Sequence, residues 1–431
     1  MNRSLFLVLF TSCCLTIWSQ EEKKRDSTLS GYKSGIYLAN PTNKSVEMEL
    51  DDRKAPYYRM DVKVTNPWFE WKKGVNEKTG LQISVNYSSI FMGATSKISS
   101  VNQQSTAGGV FDAIFNWNLV NRKKGKNKGS LIFWVNARHK YFGDIVPQNL
   151  NFETGSATLP MLMFNDFSVR ALEFYYQQSF LNNRAAIVVG KIDMADWFTY
   201  NGMLHPLKHF SDLAFSVNPT VNWSNVGLGI IAGGWLNKKK TLGLVVGLND
   251  VAGDNLTKDK FLDWGTYGWS NGKFLKMIEL NYSPGRDQYY FQRISATYWH
   301  SDEIILSEDS WYASPSSSGF SIQGTWFIKN KYMPVVTLGM SDGDGANTLS
   351  KLNVSLMHGW NFTSHDMLGV GINYTESTIS GESQFLSEVF YRYTLSKALS
   401  ISPIVKAVIN PALNTNKEFL GYYGVRSRIS F

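Results

Sequence analysis

The stretch at 194–225 places aromatic rings beside charged groups. Trp197, Phe198 and Tyr200 supply apolar ring faces, and Asp196 stands beside them. Sugars have apolar C–H faces surrounded by hydroxyl groups, so ring platforms next to hydrogen-bonding side chains suit a carbohydrate. The alternative is that the same rings pack the stretch against the rest of the fold. The sequence leaves both interpretations open.

A second set of candidates consists of charged and amide side chains that stand opposite apolar ones in alternating segments. Arginine offers forked donors to hydroxyl or anionic groups, and carboxylates supply acceptors. A mixed set favours neutral polar solutes, whereas surplus positive charge favours anions. For each single residue, a solvated or salt-bridged position is the simpler interpretation. The residues predicted to contact a solute are Arg138, Glu173, Gln177, Arg184, Lys191, Asp193, Asp196, Trp197, Phe198, Tyr200, Arg293, Glu388, Arg392 and Arg426.

Motifs for catalysis or metal binding are not found. The sequence contains no HExxH, no G-x-S-x-G and no Walker loop. His205 and His209 are four apart, but Pro206 between them argues against a shared helical face. The aspartates of "NDVAGDN" (249–255) and "SDGDGAN" (341–347) do not have EF-hand spacing. We therefore predict no catalytic residue, no metal site and no cofactor.

The elements that would position these side chains are strands. In "GVFDAIFNWNLV" (109–120), Phe111 and Trp117 share one face while Asp112 and Asn116 share the other. A period of two is the signature of a β-strand with two different faces. The strands predicted from this pattern are 80–90, 108–119, 130–141, 169–181, 184–193, 226–236, 241–250, 273–282, 288–299, 319–328, 333–340, 351–361, 366–375, 382–394, 399–409 and 419–431.

Composition fits a membrane β-barrel as well as a large soluble β-protein. The chain has 431 residues, of which 43% are hydrophobic and 14% aromatic, with 35 Gly and a net charge of +8. Beyond the N-terminus it has no apolar run of about eighteen residues, the length of a transmembrane helix. Alternating segments without long apolar runs are typical of membrane barrels.

The connections between the predicted strands favour the membrane barrel. Those after even strands are short and rich in turn residues, such as "NN", "NKKK", "SPGRD" and "SKA". Those after odd strands include the long stretches 91–107, 142–168, 194–225, 251–272 and 300–318. Outer-membrane barrels have short periplasmic turns and long outer loops, and an even number of strands. We therefore predict an all-β fold, an antiparallel transmembrane barrel of about sixteen strands.

The N-terminus indicates export. Residues 1–20 have an early arginine, an apolar stretch and then small and polar residues before a charged run, as in a secretory signal peptide. A lipoprotein signal centred on Cys13 is the alternative. Residues 21–79 are predicted to be a charged periplasmic lead-in with a short helix at 44–54, and residues 80–431 to be the outer-membrane barrel.

The C-terminal stretch "FLGYYGVRSRISF" (419–431) alternates up to its last residue. A strand in lipid needs partners on both edges, so this one is predicted to pair with the first strand and close the barrel. Phe431 is assigned to the aromatic girdle and to recognition by the barrel assembly machinery. A barrel of about sixteen strands encloses an aqueous channel. The stretch at 194–225, which follows the fifth strand, is expected to fold inward and narrow it.

Two islands of the sequence resemble a known family. "LEFYYQQSFLNNRAAIVVGKIDMADWF" (172–198) and the closing strands at 399–431 are similar to the carbohydrate-selective porins of the OprB type. The positions shared with the closing pattern are Pro403, Asn410, Pro411 and Phe431. The resemblance implies a sixteen-stranded outer-membrane barrel that passes glucose-like or other small sugars passively. Lys406 and Ala407 depart from the Gln-aromatic pair that the family often carries, which bears on sugar preference.

The expected partners are small sugars as permeants, outer-membrane lipids and lipopolysaccharide, and the assembly machinery. The oligomeric state, monomer or homotrimer, is left open. No nucleic acid is expected as a partner, because the positive net charge suits contact with anionic lipopolysaccharide. Three other functions are also left open. They are a general or anion-preferring porin, a barrel enzyme with an outward-facing Ser–His pair, and a soluble secreted glycan-binding protein.

Overall fold

The computed structural model describes residue 60 and residues 65–98, 103–122, 126–199, 201–285, 289–307, 310–329, 331–362 and 366–431. The predicted signal peptide, the predicted helix at 44–54 and most of the lead-in lie outside these residues. Four α-helices occur in the described part, α1 Asn66–Thr79, α2 Leu150–Thr154, α3 Leu213–Ser216 and α4 Tyr267–Asn271. None of them is both long enough and apolar enough to cross a membrane. The end of the predicted lead-in is thus the helix α1.

The described residues form sixteen strands. They are β1 Leu81–Ala94, β2 Ser105–Val120, β3 Gly129–Phe142, β4 Phe167–Phe180, β5 Ala185–Ile192, β6 Gly227–Trp235, β7 Leu242–Asp250, β8 Phe274–Tyr282, β9 Gln292–Ser301, β10 Ser317–Trp326, β11 Tyr332–Ser341, β12 Ser350–Asn361, β13 Met367–Ser377, β14 Ser383–Thr394, β15 Leu399–Ile409 and β16 Phe419–Ser430. Each predicted strand has its counterpart. The largest shift at a strand start is in β9, which begins at Gln292 because Tyr289 and Tyr290 form a buried turn.

The strands close into one antiparallel barrel in which every strand pairs with its neighbours in sequence. The ring is completed by β1 and β16, with Asn86 opposite Ser430 and Ala94 opposite Tyr422. The prediction that the final strand pairs with the first is confirmed. Closure leaves no sheet edge along the paired length, which is the condition for a sheet in lipid.

Long and short connections alternate around the barrel as predicted. The short connections follow the even strands and lie at one end of the barrel, called the turn end here. The long connections follow the first odd strands and lie at the opposite end, called the loop end. Side chains alternate as well: Ser84, Asn86 and Ser88 of β1 are buried inside, whereas Phe91 points outward and is exposed. The outward face is apolar on most strands, with exposed Val189, Val246, Ile278, Leu356, Ile372, Val405 and Val425.

Candidate functional site

The connection between β5 and β6, residues 193–226, lies inside the barrel and is called the constriction segment here. Its turns are set by side chains that bind backbone N–H groups two residues ahead. The Asp193 carboxylate accepts a hydrogen bond from Ala195 N at 2.9 Å. The Asp212 carboxylate accepts one from Ala214 N at 3.1 Å and thereby caps α3. Such Asx-type contacts fold a chain locally without a regular element. The segment therefore carries its own shape into the barrel.

Two strands on one side hold the first half of the constriction segment. Thr199 N donates to Glu279 Oε2 on β8 at 3.1 Å, and Gly202 N donates to Thr325 Oγ1 on β10 at 3.2 Å. Glu279 also forms a buried ion pair with Arg293 on β9, with an N–O distance of 2.5 Å. The Glu279 charge is thus matched within the wall, and its second oxygen anchors the segment.

The opposite wall holds the second half through a buried charge cluster. The carboxylate of Glu388 on β14 accepts from Ser211 N at 2.7 Å and from Asp212 N at 3.1 Å. Lys406 on β15 lies 3.1 Å from Glu388 Oε2 and 3.2 Å from Asp212 Oδ2. Burial raises the pKa of the Asp212 carboxyl from its ordinary value, and the Lys406 ammonium acts in the opposite direction. Buried charges persist when they are paired and hydrogen-bonded, as they are here.

Arg426 on β16 binds the segment without a carboxylate. Its guanidinium donates to the carbonyl oxygens of Pro206 and His209, the second at 2.8 Å. The forked geometry of arginine suits two acceptors at once. Arg426 therefore fixes the path of the backbone between the two histidines.

Glycines on the inward faces of the strands give the segment room. A Cβ atom at Gly247 on β7 would lie 2.7 Å from both Met194 Cε and the Phe198 ring. A Cβ atom at Gly371 on β13 would lie 2.9 Å from the ring of Phe215. Glycine is the residue that permits so close an approach. These positions explain part of the glycine content of the strands.

The aromatic side chains of the segment are packed into the fold. Trp197, Phe198 and Phe210 are buried, and Phe210 contacts Phe215 and the Phe390 ring on β14 at centroid distances of 4.9 Å and 5.0 Å. This arrangement supports the packing interpretation for these rings over the ring platform. Tyr200 lies outside the described residues. Asp196 is half-buried at the end of a 3-10 turn, Met194–Asp196.

A second connection, residues 143–166 between β3 and β4, also enters the barrel and is called the companion segment. Lys406 Nζ donates to Pro160 O at 2.5 Å, and Ser211 Oγ donates to the same oxygen at 3.1 Å. Leu162 N donates to Ser211 O at 2.9 Å. One lysine thus joins the wall to both segments.

The remaining candidates on β3 and β4 lie on the inner wall. Arg138 Nε donates to Asn136 Oδ1 at 2.8 Å, and its guanidinium lies 4.8 Å from the centre of the Phe167 ring. Glu173 Oε1 accepts from Asp193 N at 3.1 Å at the start of the constriction segment. Gln177 is fully buried on the same inward face of β4. These side chains line the sector where the constriction segment begins.

Two further candidates, Lys191 and Arg184, lie away from this inner set, and a third, Arg392, is on the inward face of β14 with Glu388. Lys191 shares the outward face of β5 with the exposed Val189, and its ammonium is buried 2.9 Å from Asp254 Oδ2 under the connection between β7 and β8. Arg184 lies in the turn before β5 and donates to Trp235 O at 3.3 Å. Arg392 is half-buried on β14, opposite Met367 of β13.

Besides these ion pairs the inward face carries Asp112, Arg138, Glu173, Arg426 and Arg428, and most of its other polar residues are uncharged. Amide and hydroxyl side chains recur on it from strand to strand, and the charges Glu279, Glu388 and Lys406 are matched by partners. The buried inward members include Ser84, Asn86, Asn116, Ser130, Gln177, Asn281, Ser295, Ser321, Gln323, Thr337, Asn353, Ser355, Asn373 and Gln384. Groups that both donate and accept hydrogen bonds suit water and hydroxylated solutes.

Solved structures with the same barrel architecture were found by comparison. Pseudomonas putida OprB at high pH matches with a TM-score of 0.67 and 11% identity over 88% of this chain and 99% of that one. The chain has the OprB barrel fold. The low-pH structure of the same protein matches with a TM-score of 0.52 and 10% identity over 88% of this chain and 100% of that one. No protein-family model matches the sequence. No curated protein matches it by sequence either.

Several residues that position the segment in this OprB-type barrel escape sequence reasoning. Lys406 stands out in the sequence only as a departure from a family pattern, yet it binds Asp212, Glu388 and Pro160. Thr325 carries no signal, because threonine is common in strands. Asp212 and Lys406 are 194 residues apart, and only the closed barrel brings them together.

One outward-facing Ser–His pair does occur on the OprB-type barrel. His300 Nδ1 and Ser318 Oγ are 2.7 Å apart, and His300 Nε2 is 3.1 Å from Asp302 Oδ1. The N–H of Ser318 donates to the Asp342 carboxylate at 2.6 Å. Acyl transfer needs N–H donors free to bind an oxyanion, and here the nearest one is already bound to an anion. We interpret this row as a structural link between β9 and β10.

Proposed function

We propose that the protein is a bacterial outer-membrane channel for passive diffusion of small neutral solutes, with small carbohydrates as its main permeants. The OprB barrel fold supports a channel, and the apolar outward face supports a place in lipid. A sixteen-stranded barrel has an interior wider than its own side chains can fill. The segments inside the barrel then narrow this channel.

The observation that carries the proposal is the way wall charges are used. Glu279, Glu388 and Arg426 hold the constriction segment. Glu279 is paired with Arg293 and Glu388 with Lys406, while Arg426 donates to backbone carbonyls. Charged groups that are paired or already engaged by the segment attract a passing ion less strongly than free ones. Its remaining amides and hydroxyls exchange hydrogen bonds with sugar hydroxyls in place of water. This favours neutral hydroxylated solutes.

Liposome swelling tests the proposal. Vesicles containing the refolded protein are diluted into iso-osmotic monosaccharides, amino acids and organic anions of matched size. We expect sugars to enter fastest, with a rate proportional to the gradient and independent of membrane potential. Equal rates at equal size would leave a general diffusion porin, and faster anions would favour the anion-preferring alternative. Absence of swelling by any solute would contradict a channel.

Location and partners follow from the same proposal. Export through the N-terminal signal, insertion by the assembly machinery through Phe431, and contact with lipopolysaccharide remain predictions. The oligomeric state, monomer or homotrimer, also remains open to measurement.

A further inference from the structure

Helix α1 (Asn66–Thr79) lies at the turn end and leads directly into β1. Its C-cap Gly80 has φ of +80°, in the left-handed region, and reverses the chain so that β1 begins at the next residue. A Cβ atom at Gly80 would lie 2.7 Å from the carbonyl oxygen of Asn118 on β2. Glycine is strongly preferred at such a position. The helix is therefore fixed relative to the first strand.

The seam where the barrel closes is incomplete at this end. The pairing of β1 with β16 ends at Asn86 and Ser430, while β1 continues toward the helix from Val85 to Leu81. Beyond that pair, Phe431 N donates to Val85 O at 2.7 Å, and Val85 N donates to Phe431 O at 3.4 Å. Among the described residues, no part of β16 pairs with 81–84. Exposed strand edges are commonly covered by a helix or loop.

Lys72 of α1 reaches across this seam. Its Nζ donates to Phe431 O at 2.8 Å. Lys72 is only 5% exposed, whereas the next residue, Lys73, has a side chain that is 78% exposed. A buried ammonium needs compensating contacts, so this one is placed specifically.

Further contacts tie α1 to both sides of the seam. Arg122, after β2, donates to Lys78 O at 2.9 Å. On the other side, Lys397 in the connection between β14 and β15 lies 3.8 Å from the centre of the Phe69 ring on α1. The same ring lies 4.9 Å from Lys72 Nζ. The helix thus spans from β2 past β1 and β16 to the β14–β15 connection.

We propose that α1 is a seam clamp, a helix that binds Phe431 through Lys72 and locks the closing pair β1–β16. The clamp holds the barrel shut at the one junction between strands that are distant in sequence. This role concerns the closed state of the wall and does not depend on which solute crosses it.

Hydrogen exchange in Lys72→Met tests the clamp, with Lys73→Met as the matched control. Both variants are compared with the full protein in lipid vesicles. Lys72→Met removes the charge-assisted hydrogen bond to Phe431 O. We therefore expect the Val85 and Phe431 amides to exchange about tenfold faster, or more. Amides in β7 and β8, opposite the seam, should exchange as before, and Lys73→Met should match the unaltered protein throughout.

Lys72→Arg keeps a cationic donor and should restore slow exchange, which separates the contact from general packing. If Lys72→Met does not insert, Lys397→Met removes the other cation on Phe69 and should loosen the same two amides. Unchanged exchange at Val85 and Phe431 in an inserted Lys72→Met protein would overturn the clamp. So would an equal rise in all strands, because that would be a general loss of stability.

Discussion

Lys406 shows how one side chain can organise the interior of the barrel. It is the common partner of Asp212 in the constriction segment, Glu388 in the wall and Pro160 O in the companion segment. A buried ion pair contributes little net stability compared with a hydrophobic pair, but loss of one partner leaves an uncompensated buried charge. Lys406 is therefore important for geometry more than for the energy of its own contacts.

Replacing Lys406 by methionine should free both inner segments from β15. Two buried carboxylates would lose their cation, and we expect a loss of about 3–5 kcal/mol in the free energy of unfolding. Solutes should also enter vesicles faster because the segments are less tightly held. Urea unfolding and liposome swelling measure the two effects. Lys417→Met, at an exposed position between β15 and β16, is the control and should change neither. Unaltered swelling in a destabilised Lys406→Met protein would argue against the role in positioning.

Asp302 provides a pH-dependent link at the loop end. Burial acts to raise the pKa of Asp302, but hydrogen bonds from Lys276 and from Phe274 N–H prevail and lower it from its ordinary value. The Lys276 contact is 2.7 Å long and that of Phe274 2.9 Å. A lowered pKa of an acid means stability that is complete above the unfolded-state pKa and is lost as pH falls through the folded-state pKa.

Asp302→Asn should remove this contribution at neutral pH. The site is partly exposed, so we expect a loss of at most about 1 kcal/mol in the free energy of unfolding. The difference between the variant and the unaltered protein should shrink as pH falls below the ordinary pKa of an aspartate. Unfolding midpoints at neutral and acidic pH measure it, with the exposed Asp344→Asn as the control. A difference that stays constant down to strongly acidic pH would contradict the assignment.

At the scale of elements, the strands were predictable and the segments between them only in part. Most strands present an apolar face outward and a face of polar or small residues inward, so the sequence itself alternates, as in Leu242–Asp250. The inward fold of 194–225 was expected from its length and aromatic content. Its contacts were not predictable, because Asp212 and Glu388 lie 176 residues apart and meet only when the barrel closes. Lys191 shows the same limit, since the connection that buries its ammonium follows β7.

The inward glycines make a prediction at this scale. Gly247→Val places a Cβ within 2.7 Å of Phe198 and Met194, so the constriction segment must shift. We expect a destabilisation of about 1–3 kcal/mol, the usual cost of overpacking. Gly324→Val is the control, because a Cβ there meets its nearest atom, on Ile294, at 3.7 Å. Thermal unfolding should show a lower unfolding temperature for Gly247→Val than for Gly324→Val. Equal unfolding temperatures would mean that the constriction segment does not pack against β7.

For the whole molecule, the apolar outward face decides how the protein behaves outside a membrane. Exposed Phe320, Met340, Phe385 and Phe419 belong to four different strands, and Tyr423 lies with Phe419 on β16. Contiguous exposed apolar surface of this kind marks contact with lipid or another protein. A soluble glycan-binding protein would expose this apolar surface to water, so the surface argues against that alternative.

Alkaline carbonate extraction of membranes from producing cells tests this property. We expect the protein to stay with the membrane pellet and to dissolve only when detergent is added. A soluble periplasmic protein, followed in the same preparation, should be released entirely. Release of the chain without detergent would contradict the membrane barrel and restore the soluble interpretation.

The anchoring of the constriction segment has a mechanical consequence. Its contacts run to β8, β10, β14 and β16, which lie on different sides of the ring. A hollow tube deforms most easily by flattening, and a strut across its bore resists that deformation. The inner segments therefore act as internal bracing, and the barrel should keep a round cross-section when the surrounding bilayer is compressed or thinned.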